Sequence, residues 1–242
     1  MRDYIVGRGK RRLRESWITR DAYRSAARLL LLARLMLNRL RFGRYYPAEF
    51  FNSRFARDSD PWAYQGDLVS ERRKALILGQ LPIGRTPRLL ELGCGAGWMT
   101  ADLAGHADAV TAVDISPVAL NLAMARCSQL KHVSFRRQDL LTEIPEESFD
   151  VIVCAGVLVF IPWTAQSAVR DNVVEALAPG GTLLLEHTRD AFPGEVAGKD
   201  AHALYAQHSE LMLRHRISED IYEILVFQRI VVSGQSEAEA KR

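Results

Sequence analysis

The order of apolar and polar positions divides the chain near residue 87. Upstream, apolar residues recur at helical spacing. Leu29, Leu32, Met36 and Leu40 form one stripe of a helix predicted over residues 21–41, and Arg20, Arg24 and Arg28 recur every four residues on another side. An aromatic stretch runs from Phe42 through Tyr45, Tyr46, Phe50 and Phe51 to Phe55. The segment Asp60-Pro61-Trp62-Ala63-Tyr64 then leads into a second predicted helix, residues 69–78. Downstream, short apolar runs alternate with helical stretches. Strands are predicted at residues 88–92, 110–114, 133–136, 149–154 and 182–186. The helices between them begin near Trp98, at Pro117 behind the N-cap Ser116, and near Thr164. A helix over residues 201–208 and two strands, 211–216 and 222–232, close the pattern.

Strand–helix alternation predicts an α/β chain with a parallel sheet covered on both faces. Phe149–Cys154 is nearly all apolar, which suits a central strand. The expected fold is therefore a doubly wound, seven-stranded Rossmann-like sheet with a C-terminal antiparallel hairpin. A basic helical N-terminal extension precedes it. The expected boundaries are residues 1–57 for the extension, 58–232 for the catalytic domain and 233–242 for a disordered tail.

Charge sharpens that division. The net charge is +3, yet residues 1–57 carry +11 and the rest −8. The extension is expected to meet an anionic membrane surface or a partner protein, or else to pack on the core as a lid with its arginines exposed. An acidic catalytic region would repel phosphates, so nucleic acid is disfavoured. No apolar run approaches the roughly 18 residues of a membrane span, and no signal peptide is evident. The three cysteines, Cys94, Cys127 and Cys154, fit neither a disulfide framework nor a zinc site. A cytoplasmic location, peripheral at the membrane if the extension binds it, is expected, and no metal.

The strongest chemical signal is Glu91-Leu92-Gly93-Cys94-Gly95-Ala96-Gly97 between a predicted strand and a predicted helix. Glycines there let the backbone turn sharply and approach a ligand. The spacing is G-x-G-x-G, and Trp98 stands where a dinucleotide fingerprint needs glycine. A nicotinamide-dependent oxidoreductase is thereby disfavoured. No phosphate-binding G-x-x-x-x-G-K-S/T follows either. Asp114 ends the second strand, where a carboxylate can accept hydrogen bonds from ribose hydroxyls. Asp139, after the third strand, is placed for an adenine amino group.

These residues resemble the class I S-adenosylmethionine (SAM)-dependent methyltransferases over roughly residues 86–232. The resemblance implies SAM as cofactor, released as S-adenosylhomocysteine (SAH). It implies that Glu91, Gly93, Cys94, Gly95, Gly97, Asp114, Ile115, Asp139, Leu140 and Cys154 bind it. The Pro179-Gly180-Gly181 turn matches too. A narrower resemblance is to the nodulation protein S group, which N-methylates an amino sugar of a chitooligosaccharide. It rests on Asp60-Pro61-Trp62 with Tyr64, on His187-Thr188-Arg189-Asp190 with Phe192-Pro193-Gly194, and on Val226-Phe227. It implies that Trp62 and Tyr64 lie over the cofactor and acceptor. One departure stands out. The group tends to carry a polar–acidic pair after strand four, and here Ala155-Gly156 occupies those positions.

The expected function is methyl transfer to nitrogen or oxygen of a small-molecule or glycan acceptor. His187, following strand five, is the candidate general base, and Arg189 a candidate anchor for an anionic acceptor. The other five histidines are expected at the surface. Because Ala155-Gly156 lacks the carboxylate, a second expectation remains open: a non-catalytic SAM-binding module that docks on a partner or a membrane.

Overall fold

The computed structural model describes residues 46–189 and 195–231. The helix expected over residues 21–41, the tail and Asp190–Gly194 lie outside the described residues.

Two helices come first, α1 (Ala48–Phe55) and α2 (Leu68–Leu78). Asp67 caps α2, its carboxylate accepting the Ser70 amide at 2.8 Å. Strand β1 (Thr86–Leu92) leads through the glycine loop to the short helix α3 (Thr100–Leu103). Strand β2 (Ala107–Asp114), helix α4 (Pro117–Arg126) and strand β3 (Val133–Arg137) follow. The chain continues with β4 (Phe149–Ala155), α5 (Gln166–Ala176), β5 (Leu177–Thr188) and α6 (Gly198–Ala206). The hairpin β6 (Leu211–Ser218) and β7 (Tyr222–Arg229) completes it.

The strands form one seven-stranded sheet in the order β3-β2-β1-β4-β5-β7-β6. The first five run parallel, and β7 pairs antiparallel with both β5 and β6. This is the expected doubly wound sheet with its closing hairpin. The described residues contain no helix long and apolar enough to cross a membrane.

Strand alternation assigns side chains to two cores. Leu90 and Leu92 face one core with Val169 and Val173 of α5 and Tyr205 of α6. Leu89 faces the other with Ile77 of α2 and Leu103 of α3. Each fully buried leucine contributes about 1.5–3 kcal/mol. The same alternation separates Glu186 from His187. Glu186 faces α2, and His187 faces α6.

One expected turn is absorbed into a strand. Residues 179–181 do not separate α5 from the fifth strand, because β5 already pairs with β4 at Leu177, opposite Phe149. A bulge lets the chain pass through Gly180, at φ 78°, and resume pairing at Thr182, opposite Val151.

Helix α6 can approach the end of β5 only because it begins with glycine. A Cβ on Gly198 would lie 2.3 Å from the Thr188 carbonyl oxygen and 2.6 Å from the His187 Cβ. Gly198→Ala should therefore cost about 1–3 kcal/mol by overpacking, read as a lower urea midpoint at unchanged slope. A midpoint equal to wild type would mean that α6 packs more loosely than described.

Candidate functional site

The C-terminal ends of β1 to β4 line an open cavity of about 1250 Å3, solvent included. Such ends carry the ligand site in doubly wound sheets. Asp139 after β3, Asp114 ending β2, Gly93 and Gly95 after β1, and Ala155-Gly156 from the end of β4 all lie on its wall.

The glycine loop is shaped by sterics. Gly93, Gly95 and Gly97 have φ of 72°, 54° and 74°, in the left-handed region that side chains avoid. A Cβ on Gly93 would lie 2.2 Å from Val157 Cγ2. Gly97 serves packing rather than the cavity: its Cβ would lie 3.0 Å from Ala123 Cα in α4, and it is not on the cavity wall.

Asp114 ties the loop to β2. Its Oδ2 accepts the Gly95 amide at 2.9 Å and its Oδ1 accepts the Ser116 amide at 2.8 Å. Burial raises its pKa, opposed by those backbone donors. Glu91, also on the wall, has only the Thr100 hydroxyl, which donates to its Oε2 at 2.5 Å. Burial pushes the Glu91 carboxyl up to about 8, with the Thr100 bond opposing and the Asp114 charge adding to the rise. Burial also raises the Cys94 thiol, so this residue lines the cavity as a small neutral group. Ile115 and Leu140 add apolar wall beside Asp114 and Asp139.

Aromatic side chains form the roof. Asp60 builds the turn that presents two of them. Its carboxylate accepts the Tyr64 amide at 2.9 Å and the Gln65 amide at 2.7 Å, while Ala63 takes φ 53°. Trp62 and Tyr64 stack at 6.4 Å and 17°, and Tyr64 stacks on Trp98 at 5.1 Å. Phe55 of α1 lies 5.3 Å from Trp62. Helix α1, inside the stretch expected to be the extension, packs on α4 and is tied to it where Ser116 Oγ donates to Asn52 Oδ1 at 2.7 Å.

Besides Gly97, three expected site residues are not on the wall. Cys154 is fully buried in β4, packed in the core that holds Leu158 and Tyr205. Arg189 is exposed, and its Nη1 donates to the Glu219 carbonyl at 3.4 Å. His187 is fully buried, and its lone pair is committed: Nε2 accepts the Leu158 amide at 3.0 Å. That bond fixes the proton on Nδ1, which donates to His202 Nε2 at 2.9 Å. His202 Nδ1 then donates to Glu223 at 3.2 Å. The expectation of a histidine base in the pocket is thus corrected. His202, expected at the surface, is buried as the middle member of this chain. Burial, and for His187 the neighbouring His202 and Arg73, lower both histidines, so both stay neutral.

Arg73 was invisible to sequence reasoning, because its partner is 113 residues away. It lies on the cavity wall, 4.7 Å from the Tyr64 ring centroid, with Nη1 3.4 Å from Glu186 Oε2. Burial pushes the Glu186 carboxyl up to about 7, with Arg73 opposing.

This geometry agrees with known proteins. A family model described as a methyltransferase domain matches residues 89–181. The chain is 30% identical over 189 residues to nodulation protein S of Bradyrhizobium diazoefficiens, covering 75% of this chain and 90% of that protein. It is 34% identical over 145 residues to nodulation protein S of Rhizobium tropici, covering 59% of this chain and 60% of that protein. The crystal structure of the N-methyltransferase NodS from Bradyrhizobium japonicum, in complex with SAH, superposes with a TM-score of 0.69 at 29% identity, covering 75% of this chain and 97% of that one.

Two outcomes follow. Gly93→Ala should abolish SAH binding in isothermal titration, since the strained φ and the Val157 contact both oppose a Cβ; retained wild-type affinity would contradict the described loop. Glu91 binds a proton in the folded state that the unfolded chain releases above its ordinary value of 4.5. Its contribution to stability is therefore complete below pH 4.5 and falls as pH rises toward 8. In urea unfolding, Glu91→Gln should lose less, relative to wild type, at pH 8 than at pH 5. An equal or larger loss at pH 8 would mean that Glu91 is ionised.

Proposed function

We propose that the methylated atom is the nitrogen of a small-molecule amine, because the chain belongs to the nodulation protein S group of class I SAM-dependent methyltransferases and its expected histidine base is engaged elsewhere. The observation that carries this reading is the Leu158 amide on His187 Nε2. A hydroxyl acceptor usually needs a base within hydrogen-bond reach, whereas a neutral amine has only to lose its proton to solvent. The related crystal structure is of an N-methyltransferase, which supports the same atom.

The residues present suit an adenosyl cofactor. Asp114 would accept from the ribose, Asp139 and Leu140 would meet the adenine, and the left-handed Gly93 and Gly95 leave the loop backbone bare on the cavity wall. When bound, SAM supplies a methyl group on a positively charged sulfur. The protein's own work is alignment and exclusion of water. Trp62, Tyr64 and Phe160 share the cavity wall with Ala155-Gly156. The nitrogen gains positive charge as it is alkylated, and electron-rich ring faces favour that charge. With Ala155-Gly156 in place of a polar–acidic pair, that strand end holds no carboxylate for an amino sugar, so we assign the broader class of amine acceptors.

The test uses SAM carrying a labelled methyl group, with matched panels of amines and alcohols. Label should enter amines, and Asp114→Ala should weaken SAH binding about ten- to a hundredfold, the loss of a charge-assisted hydrogen bond. Label entering only the alcohols would overturn the assignment to nitrogen.

A further inference from the structure

Beyond β4 the cavity wall continues as the turn Val157–Ile161, of which Val157, Phe160 and Ile161 line the cavity. Val157 also bears on the glycine loop, where a Cβ on Gly93 would lie 2.2 Å from its Cγ2. Two kinds of tie hold this turn. Gln166 of α5 donates from Nε2 to the carbonyls of Leu158 at 2.7 Å and Ile161 at 3.0 Å. The Leu158 amide goes the other way, to His187 Nε2 at 3.0 Å. An amide tie is indifferent to pH, and an imidazole acceptor is not.

From Leu158 the hydrogen bonds run in one direction through His187 and His202 to Glu223. Every nitrogen of the two rings is engaged, as donor or as acceptor. Neither ring can take a further proton in place. On His187 Nε2 that proton would face the Leu158 N–H. On His202 Nε2 it would face the His187 N–H, and passing protons along the chain only moves the clash to Leu158. The charged surroundings come from several elements. Arg73 of α2 and Arg216 of β6 disfavour a protonated ring. Glu223 of β7 stands opposite His187 in the register. Burial would raise its carboxyl, and the bonds from His202 and Ser218 overcome that and hold it low. Burial raises the Cys154 thiol of β4 and the Tyr205 hydroxyl of α6, so both stay neutral. Glu186, beside His187 on β5, faces the other way toward Arg73.

We propose that His187, held by His202, is a positioning residue for the reaction: the neutral imidazole pair clamps the Leu158 amide and sets Val157 and Phe160 on the cavity wall, and a proton taken up by the pair releases them. In the closed clamp burial lowers both histidines below 6.5, and in the open one they regain that value. The clamp is therefore complete above pH 6.5 and is lost as pH falls below it. The inference rests on the cavity being the cofactor site, and not on the acceptor atom being nitrogen.

The experiment is hydrogen exchange of the full chain, read amide by amide by NMR between about pH 7 and about pH 5.5, the span in which an ordinary histidine titrates. Protection of the Leu158 amide, relative to its unfolded rate, should fall about eightfold if opening protonates one histidine and about seventyfold if it protonates both. Ile152 in the central strand β4 should be unchanged. His187→Gln keeps an acceptor for Leu158 and takes no proton, so its Leu158 protection should hold across the range. In isothermal titration, the SAH affinity of wild type should fall over the same span relative to that variant. Constant Leu158 protection in wild type overturns the clamp, as does an equal fall in His187→Gln or a fall shared by Ile152. Should His187→Gln fail to fold, the nitrogen shifts of the wild-type imidazoles decide: a doubly protonated His187 or His202 with Leu158 still protected overturns the clamp. Opening of Leu158 without relative loss of SAH affinity overturns the positioning role. A wild-type protein that binds no SAH at either pH overturns the cofactor assignment and the positioning role together.

Discussion

The hydrogen bond from the Gly95 amide to the Asp114 carboxylate holds the site together. It spans 2.9 Å and joins the loop after β1 to the end of β2. The loop end of the cavity takes its shape from this tie. The loop keeps three residues at positive φ, a cost that only glycine bears lightly. The carboxylate that receives the amide is itself buried, and burial would favour its neutral form. Two backbone donors offset that tendency and give it one arrangement. Glu91, also on the wall, has no backbone donor to an oxygen, and its carboxyl is pushed up to about 8. Two buried acids on one wall thus differ in what opposes their burial, backbone amides for one and a single hydroxyl for the other.

The opposite end of the cavity is governed by strand alternation. Glu186 and His187 are adjacent on β5, so their side chains leave on opposite faces. One reaches Arg73, which lies on the cavity wall. The other enters a closed chain of His187, His202 and Glu223. That chain ends on the Leu158 amide at the turn beneath Val157 and Phe160. Its work is to hold a wall in place, since both lone pairs along it are taken. A single-residue shift of β5 would exchange these roles, which is why the register of β5 against β7 matters to the site.

Much of the fold was legible because its signals are local. Apolar runs marked the strands, Ser116-Pro117 marked the start of α4, and the glycine spacing with Asp114 marked the cavity wall. The errors have physical causes as well. His187 sits at the correct strand end, yet sequence does not show which atom its lone pair meets. Cys154 lies one residue short of the wall, where alternation turns it into the core. The Pro179-Gly180-Gly181 segment has turn composition but is held in β5 by pairing on both sides of a bulge. Arg73 reads as one charge among several on a helix. Its meaning comes from Glu186, and only the folded sheet brings the two together.

The cavity therefore grades in character along the sheet. Asp114 and Asp139 lie at the β3–β2 end, the backbone of the glycine loop lies at β1, and Trp62, Tyr64 and Arg73 belong to the same wall. A ligand that is polar and hydroxyl-rich at one end and charged at the other would be oriented by that gradient alone. Water is the competitor for every polar group on this wall, and the stacked Trp62, Tyr64 and Trp98 reduce its access. Excluding it strengthens each remaining electrostatic contact, because charges interact more strongly as the local dielectric falls. The aromatic roof and the sparse set of charges are thus one device: fewer polar groups suffice because each works in drier surroundings.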